Sequence, residues 1–480
     1  MYPSTSFRSM LYNRIMAVLA RPLLKKSTNP VLALGLVIGV FVLTGVLAFK
    51  GSNDQLVLVL LAIAGGIGTL ILNRWQSMGL VFLLIAGMAL PYSGNNKINL
   101  SMIIVTWMLF LWLMDGITRR HNFHIIASKI VRPLLALLVV SVISFGVGQL
   151  SWFSFVKNAP LDAQLAGLAI IILAAGTFLL AAENIQDIRW LKLITWLFVV
   201  FGTVYMAGRL IPGLSSFVQN IMRGRISGGV FSAWFPAITF SQAVFNRELK
   251  LRWRLLLGIF CIATLYYGLV LRFEWKSYWL PGIAAVFAII LAREWRIGFG
   301  LGILGLVTIW FMSETFISTD EYSLSTRLEG WLIIFQIIKQ NPFLGLGFGN
   351  YYYYTALFPI RGWYVVFNSH NNYVDIIAQI GLLGFLFFGW FFWGLGRLGW
   401  ELKTRVPDGF PRAYIYGAFG GLVGTLAAGM LGDWILPFVY NLGLQTLPIS
   451  LLSWMFLGGL LAIKKIYSSK DFHAEIRRSA

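Results

Sequence analysis

The chain has 480 residues, 58% of them hydrophobic and 12% charged, with a mean hydropathy of +0.77 and a formal net charge of +20. This excludes a soluble globular protein, since one core cannot bury so much apolar surface, and the recurrent apolar runs near ~20 residues favour membrane-spanning helices over a barrel of short alternating strands. The basic residues lie between those runs, so we expect a lipid bilayer and no nucleic acid as partner.

The single cysteine, Cys261, lies inside an apolar run, so neither a disulfide framework nor a cysteine-based metal site is expected. Residues 1–28 carry five basic residues among apolar ones, without a short apolar core followed by a small-residue cleavage site. This pattern predicts an amphipathic segment on the cytoplasmic surface of the membrane.

The apolar runs predict an all-α, polytopic transmembrane helical bundle of about 12–14 spans. The candidate spans are 31–49, 55–72, 78–92, 98–114, 133–150, 163–182, 190–211, 229–245, 255–271, 277–292, 297–312, 372–396, 413–431 and 446–463. After the segment 1–28, the predicted parts are N-terminal transmembrane helices (29–212), a catalytic transmembrane region (213–400) with a large external loop (313–371), C-terminal transmembrane helices (401–463) and a basic cytoplasmic tail (464–480).

The distribution of basic residues predicts the orientation of these spans. With a cytoplasmic N-terminus, 27 of the 38 Lys and Arg residues fall in cytoplasmic segments and 11 fall outside. Because cytoplasmic loops are enriched in Lys and Arg, both termini are predicted to be cytoplasmic.

A helix is predicted inside the external loop. Thr326 and Glu329 have the spacing of a capping box, with Thr326 at the N-cap. Apolar residues then recur at helical spacing until Asn341-Pro342 stops the run. We therefore expect an amphipathic helix on the outer leaflet with Arg327 in its first turn.

External basic or polar residues precede three helices that run from outside to inside. They are Arg223 and Arg225 before the span 229–245, Arg272 and Lys276 before the span 277–292, and Ser369-His370-Asn371 before the span 372–396. Helix N-termini carry the positive end of the backbone dipole and free N–H groups. With the Arg327 helix, these ends could face one cavity that holds a phosphate or a pyrophosphate. The alternative for any single member is a side chain that reaches lipid headgroups and does nothing more.

His370 is the only histidine predicted outside, because the other three fall in cytoplasmic segments. At a helix N-terminus the dipole should disfavour the imidazolium, which keeps the ring neutral and able to act as a general base on a sugar hydroxyl. A structural histidine is the alternative. One external histidine without a partner at helical spacing does not make a ligand set, so no metal site and no cofactor are predicted.

Aromatic and glycine-rich stretches of the loop have simpler interpretations. The four tyrosines Tyr351 to Tyr354 suit an interfacial belt, with stacking on sugars as the alternative. The run from Gly345 to Gly349 lacks the spacing of a dinucleotide fingerprint and is interpreted as a tight turn after Pro342.

Four ordered motifs between residues 200 and 400 resemble the O-antigen ligase and O-antigen polymerase superfamily. They are Arg-x-Ser-Gly (225–228), Arg-x-x-x-Trp (327–331), Asn-Pro-x-x-Gly-x-Gly (341–347), and Ser-His-Asn-x-Tyr (369–373) followed by Gly-Leu-Leu-Gly (381–384). Many relatives carry Glu two residues before the first glycine of the last block, where this chain has Gln379.

The resemblance implies a metal-independent, inverting glycosyltransferase at the outer face of the bacterial inner membrane. Its donor would be a glycan on undecaprenyl pyrophosphate, and its acceptor either another glycan, as in a polymerase, or lipid A-core, as in a ligase. It implies that Arg225 and Arg327 bind the pyrophosphate and that His370 activates the acceptor hydroxyl or stabilises the reacting group. The further predicted substrate-binding residues are Arg223, Arg272, Lys276, Ser369, Asn371 and Tyr373.

Two other classes fit the apolar runs. A flippase or transporter for lipid-linked oligosaccharides needs no catalytic base, but it should place charges inside its spans and show related halves. Here the spans are nearly free of charge and the long loop lies in one half only. A non-catalytic glycolipid-binding protein is the remaining alternative.

Overall fold

The computed structural model describes residues 65, 66, 68, 69, 72, 75–89, 99–117, 128–222, 228–311, 321–441 and 443–467. The chain divides into two compact units, residues 1–74 and residues 75–480. The predicted spans 31–49 and 55–72, the segment 1–28, and most of the tail lie outside the described residues or at their margin.

The second unit is all-α, as predicted. Its fifteen described helices, in chain order, are α1 Gln76–Met88, α2 Leu100–Asp115, α3 Val131–Val147, α4 Leu161–Asn184, α5 Ile188–Leu210, α6 Ser215–Met222, α7 Gly229–Phe245, α8 Leu251–Tyr266, α9 Lys276–Arg293, α10 Trp295–Phe311, α11 Glu321–Ile338, α12 Asn350–Tyr354, α13 Asn372–Leu402, α14 Phe410–Leu431 and α15 Gly443–Tyr467. The only β-pairing among the described residues is an isolated bridge between Ile360 and Trp363.

The twelve predicted spans from residue 78 onward each coincide with an apolar helix. Seven of the described helices are long and apolar enough to cross a membrane, and the other five apolar helices have 17 residues or fewer. The fold class is therefore a multi-pass helical bundle in a lipid bilayer.

Small residues bring α14 close to α7 and α9. A Cβ on Gly424 would lie 2.7 Å from both the Ala233 Cβ and the Pro281 carbonyl oxygen, and one on Gly420 would lie 2.6 Å from the Ala285 carbonyl oxygen. Close backbone approach of this kind replaces the hydrophobic driving force that helices lack inside a bilayer. The three helices thus form one tightly packed group.

Helix α15 is the most enclosed helix, since 94% of its most apolar window is buried. It packs on α4, where the Gly458 Cα faces the Phe178 carbonyl and Ala181. Ser450 and Trp454 of α15 donate hydrogen bonds to the Ile435 carbonyl oxygen, at 2.5 and 3.3 Å. The residues that precede α15 are therefore tied to its first turns.

The capping box predicted at Thr326 is wrong. Helix α11 begins at Glu321, so Thr326 lies inside it and its hydroxyl donates to the Tyr322 carbonyl oxygen at 2.6 Å. A threonine inside a helix can satisfy its hydroxyl in this way. Glu329 does not cap the helix either, since its carboxylate accepts from the Arg361 backbone N–H at 3.1 Å and pairs with the Arg361 guanidinium.

One side of α11 faces the protein, where Ile333, Ile334, Ile337 and Ile338 pack in a core with Tyr351, Tyr354 and Phe438. Leu328, Leu332 and Phe335 are exposed. The helix is apolar on both sides, so periodicity alone does not separate the side that contacts the protein from the side left to lipid.

Helix α13 is broken at Gly381, where φ is +72°. At the break, carbonyl oxygens and N–H groups of α13 lose their partners within the helix. The turn after Pro342 forms hydrogen bonds with them. Leu346 N–H donates to the Ala378 carbonyl at 2.9 Å and Gly347 N–H to the Gln379 carbonyl at 3.0 Å. In return, Leu382 N–H donates to the Pro342 carbonyl at 2.8 Å.

Glycine is required where these two segments meet. A Cβ on Gly381 would overlap the Phe343 carbonyl group, and a Cβ on Gly345, where φ is +72°, would lie 2.6 Å from the Gly381 nitrogen. The turn predicted at Gly345–Gly349 is confirmed, with positive φ at Gly345, Gly347 and Gly349.

We expect Gly381→Ala to lower the thermal unfolding temperature of the purified protein. The alanine Cβ would overlap the Phe343 carbonyl group. The alanine backbone would also have to keep the positive φ of Gly381, which costs about 1–3 kcal/mol. Gly389→Ala in the same helix is the matched control, because a Cβ there meets nothing within 4 Å. Equal melting curves for the two variants would contradict the account of the break.

Candidate functional site

The candidate site is built around residues 369–371, which precede α13. Asn371 caps the helix, and its side-chain oxygen accepts from the Tyr373 backbone N–H at 2.9 Å. The Ser369 hydroxyl accepts from the Asn371 N–H at 2.9 Å and donates to a carboxylate oxygen of Asp375 at 2.6 Å. Ser369 and Asn371 are both buried, so in this conformation they position His370 between them and are not themselves open to a ligand.

A buried tyrosine supports the same segment. The Tyr351 hydroxyl donates to Asp375 and accepts from the Ser369 backbone N–H at 3.3 Å. Burial and the nearby carboxylate raise the pKa of Tyr351, which keeps its phenol protonated as a donor. The belt interpretation is therefore wrong for Tyr351 and Tyr354, which are buried, while Tyr352 stacks on Tyr440 at 4.7 Å.

His370 adopts a left-handed backbone conformation, with φ of +49°, and its side chain is half-buried. Burial and, next, the positive charge of Arg327 lower the pKa of His370. Both causes favour the neutral ring that the sequence predicts, whereas the prediction from the sequence is based on the helix dipole. A non-glycine residue at positive φ is uncommon, and here hydrogen bonds on both sides hold it.

Helix α11 brings Arg327 to His370. One helical turn after Arg327, the Trp331 indole N–H donates to the Ser369 carbonyl oxygen at 2.7 Å. Residues four apart lie on one helix face, so the bond that fixes Trp331 also directs Arg327 to the segment that carries His370. The Arg327 guanidinium, half-buried, donates to the Leu431 carbonyl oxygen at 3.3 Å, at the end of α14.

The α14–α15 loop, residues 432–442, completes the site and was missed in the sequence. Asn372 joins it to α13, because its side chain accepts from the Ile435 N–H at 2.7 Å and donates to the Leu436 carbonyl at 2.7 Å. Asn441 of the same loop lies with its side-chain nitrogen 3.4 Å from His370 Nδ1. Short polar residues between two apolar runs gave no signal of this contact.

The same loop meets the start of α7. A Cβ on Gly228, where φ is +143°, would overlap the Trp434 ring, and a Cβ on Gly229 would lie 3.2 Å from that ring and 2.8 Å from the Ser277 carbonyl oxygen of α9. The start of α7 thus contacts both the start of α9 and the loop whose Asn441 lies beside His370. The cavity predicted to be shared by the basic residues before α7 and α9 stays a prediction.

The other predicted residues are placed as follows. Arg223 and Arg225 lie outside the described residues. Arg272 is exposed, with its Nε 3.4 Å from the Tyr267 hydroxyl and its guanidinium over the Trp275 ring, so it is held by its own hairpin. Lys276 is the first residue of α9 and is half-buried.

Tyr373 and Gln379 have structural contacts. The Tyr373 hydroxyl donates to the Leu426 carbonyl oxygen of α14 at 2.7 Å. The Gln379 side chain accepts from the Gly349 N–H at 3.3 Å and donates to the Asp375 carbonyl at 3.2 Å. An amide, which both donates and accepts, fits this place better than a carboxylate would, because a carboxylate could not donate to that carbonyl.

No protein-family model matches this chain, and no curated protein matches it either.

We expect Arg327→Gln to raise the pKa of His370, because the variant removes a positive charge that disfavours the imidazolium. Burial remains, so the pKa should stay below the ordinary value of about 6.5. An NMR titration of ¹⁵N-histidine-labelled protein measures it, with His370 assigned by its loss in His370→Gln. Lys339→Gln, which removes an exposed charge just beyond the end of α11, is the control, and an equal shift there would contradict a specific Arg327 effect.

Proposed function

We propose that this protein is a membrane glycosyltransferase of the O-antigen ligase and polymerase type. It transfers a glycan from undecaprenyl pyrophosphate to an acceptor hydroxyl at the outer face of the bacterial inner membrane, with both termini in the cytoplasm. The observation that carries the proposal concerns His370, which is half-buried just before α13. The positive charge of Arg327 on α11 acts on this histidine and, together with burial, lowers its pKa.

The chemistry needs few groups. The acceptor oxygen bonds to the anomeric carbon of the donor sugar, the bond from that carbon to the diphosphate oxygen breaks, and the diphosphate leaves with the electron pair. Because the diphosphate is already a good leaving group, the protein must mainly stabilise its developing negative charge. Arg327 supplies a fixed cation for this purpose, and Arg225 is assigned the same role from its motif.

His370 stands where it can act on the reacting groups, either as the base that receives the hydroxyl proton or as a donor to the charge that develops. The base role requires the neutral imidazole, which the lowered pKa favours, and the neutral ring can also serve as the donor without repelling Arg327. A glycosyltransferase is preferred to a flippase because a half-buried neutral histidine next to an arginine serves bond cleavage, whereas transport alone does not need it. The acceptor is either a second lipid-linked glycan or lipid A-core.

We expect His370→Ala and Arg327→Ala each to reduce glycan transfer by about 10²–10⁴-fold. The measurement uses membrane vesicles with the host's undecaprenyl-pyrophosphate-linked glycan and counts product on the acceptor. Lys339→Ala is the matched control, because it removes an exposed cation of the same loop and should transfer normally.

The amount of protein in the membrane and its melting temperature must stay at wild-type levels for the two site variants. Arg225→Lys keeps the charge but loses bidentate contact, so transfer should also fall. Undiminished transfer by His370→Ala in folded protein would remove this histidine from the chemistry. Translocation of the lipid-linked glycan without transfer to any acceptor would favour the flippase instead.

A further inference from the structure

Asn441 connects His370 to a buried carboxylate. Its side-chain nitrogen donates to Asp433 Oδ1 at 2.7 Å and lies 3.4 Å from His370 Nδ1. Asp433 is 1% exposed, and its other oxygen accepts from the Phe438 backbone N–H at 2.8 Å. The chain from carboxylate to amide to imidazole lies within the α14–α15 loop and the residues before α13.

The carboxylate fixes the orientation of the amide. An ionised carboxylate can only accept hydrogen bonds, so the nitrogen of Asn441, and not its oxygen, must face Asp433. The reversed amide would set its oxygen against Oδ1 of the buried Asp433, which would leave that carboxylate oxygen without this donor. The second N–H of the same nitrogen is then free to point to His370.

The amide orientation in turn selects the histidine tautomer. A donor N–H that faces Nδ1 requires a lone pair on that nitrogen, so the proton of the neutral ring is on Nε2. The imidazolium would place an N–H of its own against the N–H of Asn441 and is disfavoured for the same reason. Arg327, the charged group that acts on His370 from α11, disfavours the imidazolium as well.

We propose that Asn441, oriented by Asp433, is a positioning residue that holds His370 as the Nε2–H tautomer, so that His370 acts as a neutral hydrogen-bond donor to the diphosphate and not as a general base. The mechanistic half of this proposal rests on the proposed function. A base at Nε2 would need its proton on Nδ1, opposite an acceptor, and the Asn441 amide presents a donor there.

The reaction balances without a basic side chain. The acceptor oxygen bonds to the anomeric carbon on the face opposite the diphosphate, the diphosphate oxygen takes the electron pair of the broken bond, and the hydroxyl proton is released to water. His370 donates its Nε2–H to another oxygen of the same diphosphate throughout, and Arg327 adds a positive charge. The ring neither gains nor loses a proton.

The first test is spectroscopic and needs no substrate. In ¹⁵N-histidine-labelled protein in lipid nanodiscs, the wild-type His370 Nε2 should show the shift of a protonated nitrogen and Nδ1 that of an unprotonated one. The exchange variant Asp433→Asn with Asn441→Asp keeps one carboxylate and one amide in this pair, places an acceptor against Nδ1 and should reverse the two. Tyr440→Phe, one residue away and with its stacking ring kept, should leave them unchanged. Nδ1 protonated in the wild type would overturn the proposal.

The second test separates a donor from a base. The exchange variant Asp433→Asn with Asn441→Asp creates an Asp–His pair of the kind that activates a base, so a base role predicts unchanged or faster transfer. The donor role predicts a fall of about 10²-fold in kcat, with wild-type membrane levels and melting temperature. Retained transfer by the exchange variant with a reversed tautomer would overturn the donor role.

Binding of undecaprenyl diphosphate, without sugar, gives a third measurement. Its addition to the nanodiscs should shift the Nε2 resonance of the wild type more than that of Nδ1, and undecaprenyl alcohol should shift neither. Absence of any diphosphate effect together with the Nε2–H tautomer would remove the proposed function and leave the Asn441 assignment intact. A diphosphate effect together with a proton on Nδ1 would overturn the Asn441 assignment and leave the proposed function intact.

Discussion

The break in α13 at Gly381 depends on backbone hydrogen bonds that a bilayer cannot provide. Unsatisfied N–H and C=O groups at membrane depth cost several kcal/mol each unless protein groups replace the water. The turn that follows Pro342 supplies these groups, with bonds in both directions between residues 342–347 and 378–383. Because each segment satisfies the other, the first part of α13 is fixed to the loop, and the residues that cap it cannot move independently of α11.

The α14–α15 loop is held in place by hydrogen bonds from buried side chains to its backbone. Asn372 supplies one acceptor and one donor to its backbone, and Ser450 of α15 binds the Ile435 carbonyl from the other side. Asn372 and Ser450 are both buried. Loss of one of these hydrogen bonds would leave a buried polar group without a partner, which is unfavourable. These hydrogen bonds fix the loop that carries Asp433 and Asn441. A fixed position is needed if Asn441 is to orient the ring of His370.

The sequence predicted the helices well because apolar runs of bilayer length are set by local composition. It also predicted that His370 would be neutral and that Arg327 would lie near it, from helix starts and motif order. It failed at Thr326, whose hydroxyl bonds inside the helix, and it could not tell which side of α11 contacts the protein, because that helix is apolar on both sides. Asp433 and Asn441 could not be found, because contact between loops far apart in the chain leaves no periodic pattern.

The electrostatics of the site are consistent with recognition of an anion. A protonated His370 would repel Arg327, and burial first, then this repulsion, lower the pKa of His370 and so favour the neutral ring. The arginine charge is thereby left for a ligand, with its guanidinium committed to one carbonyl oxygen, that of Leu431. A neutral N–H donor on His370 attracts a diphosphate and does not repel Arg327. An imidazolium would also attract the diphosphate, but it would repel the arginine. Arg327 and a neutral His370 are therefore compatible at short range, and in the proposed arrangement the buried Asp433 acts on the histidine through Asn441.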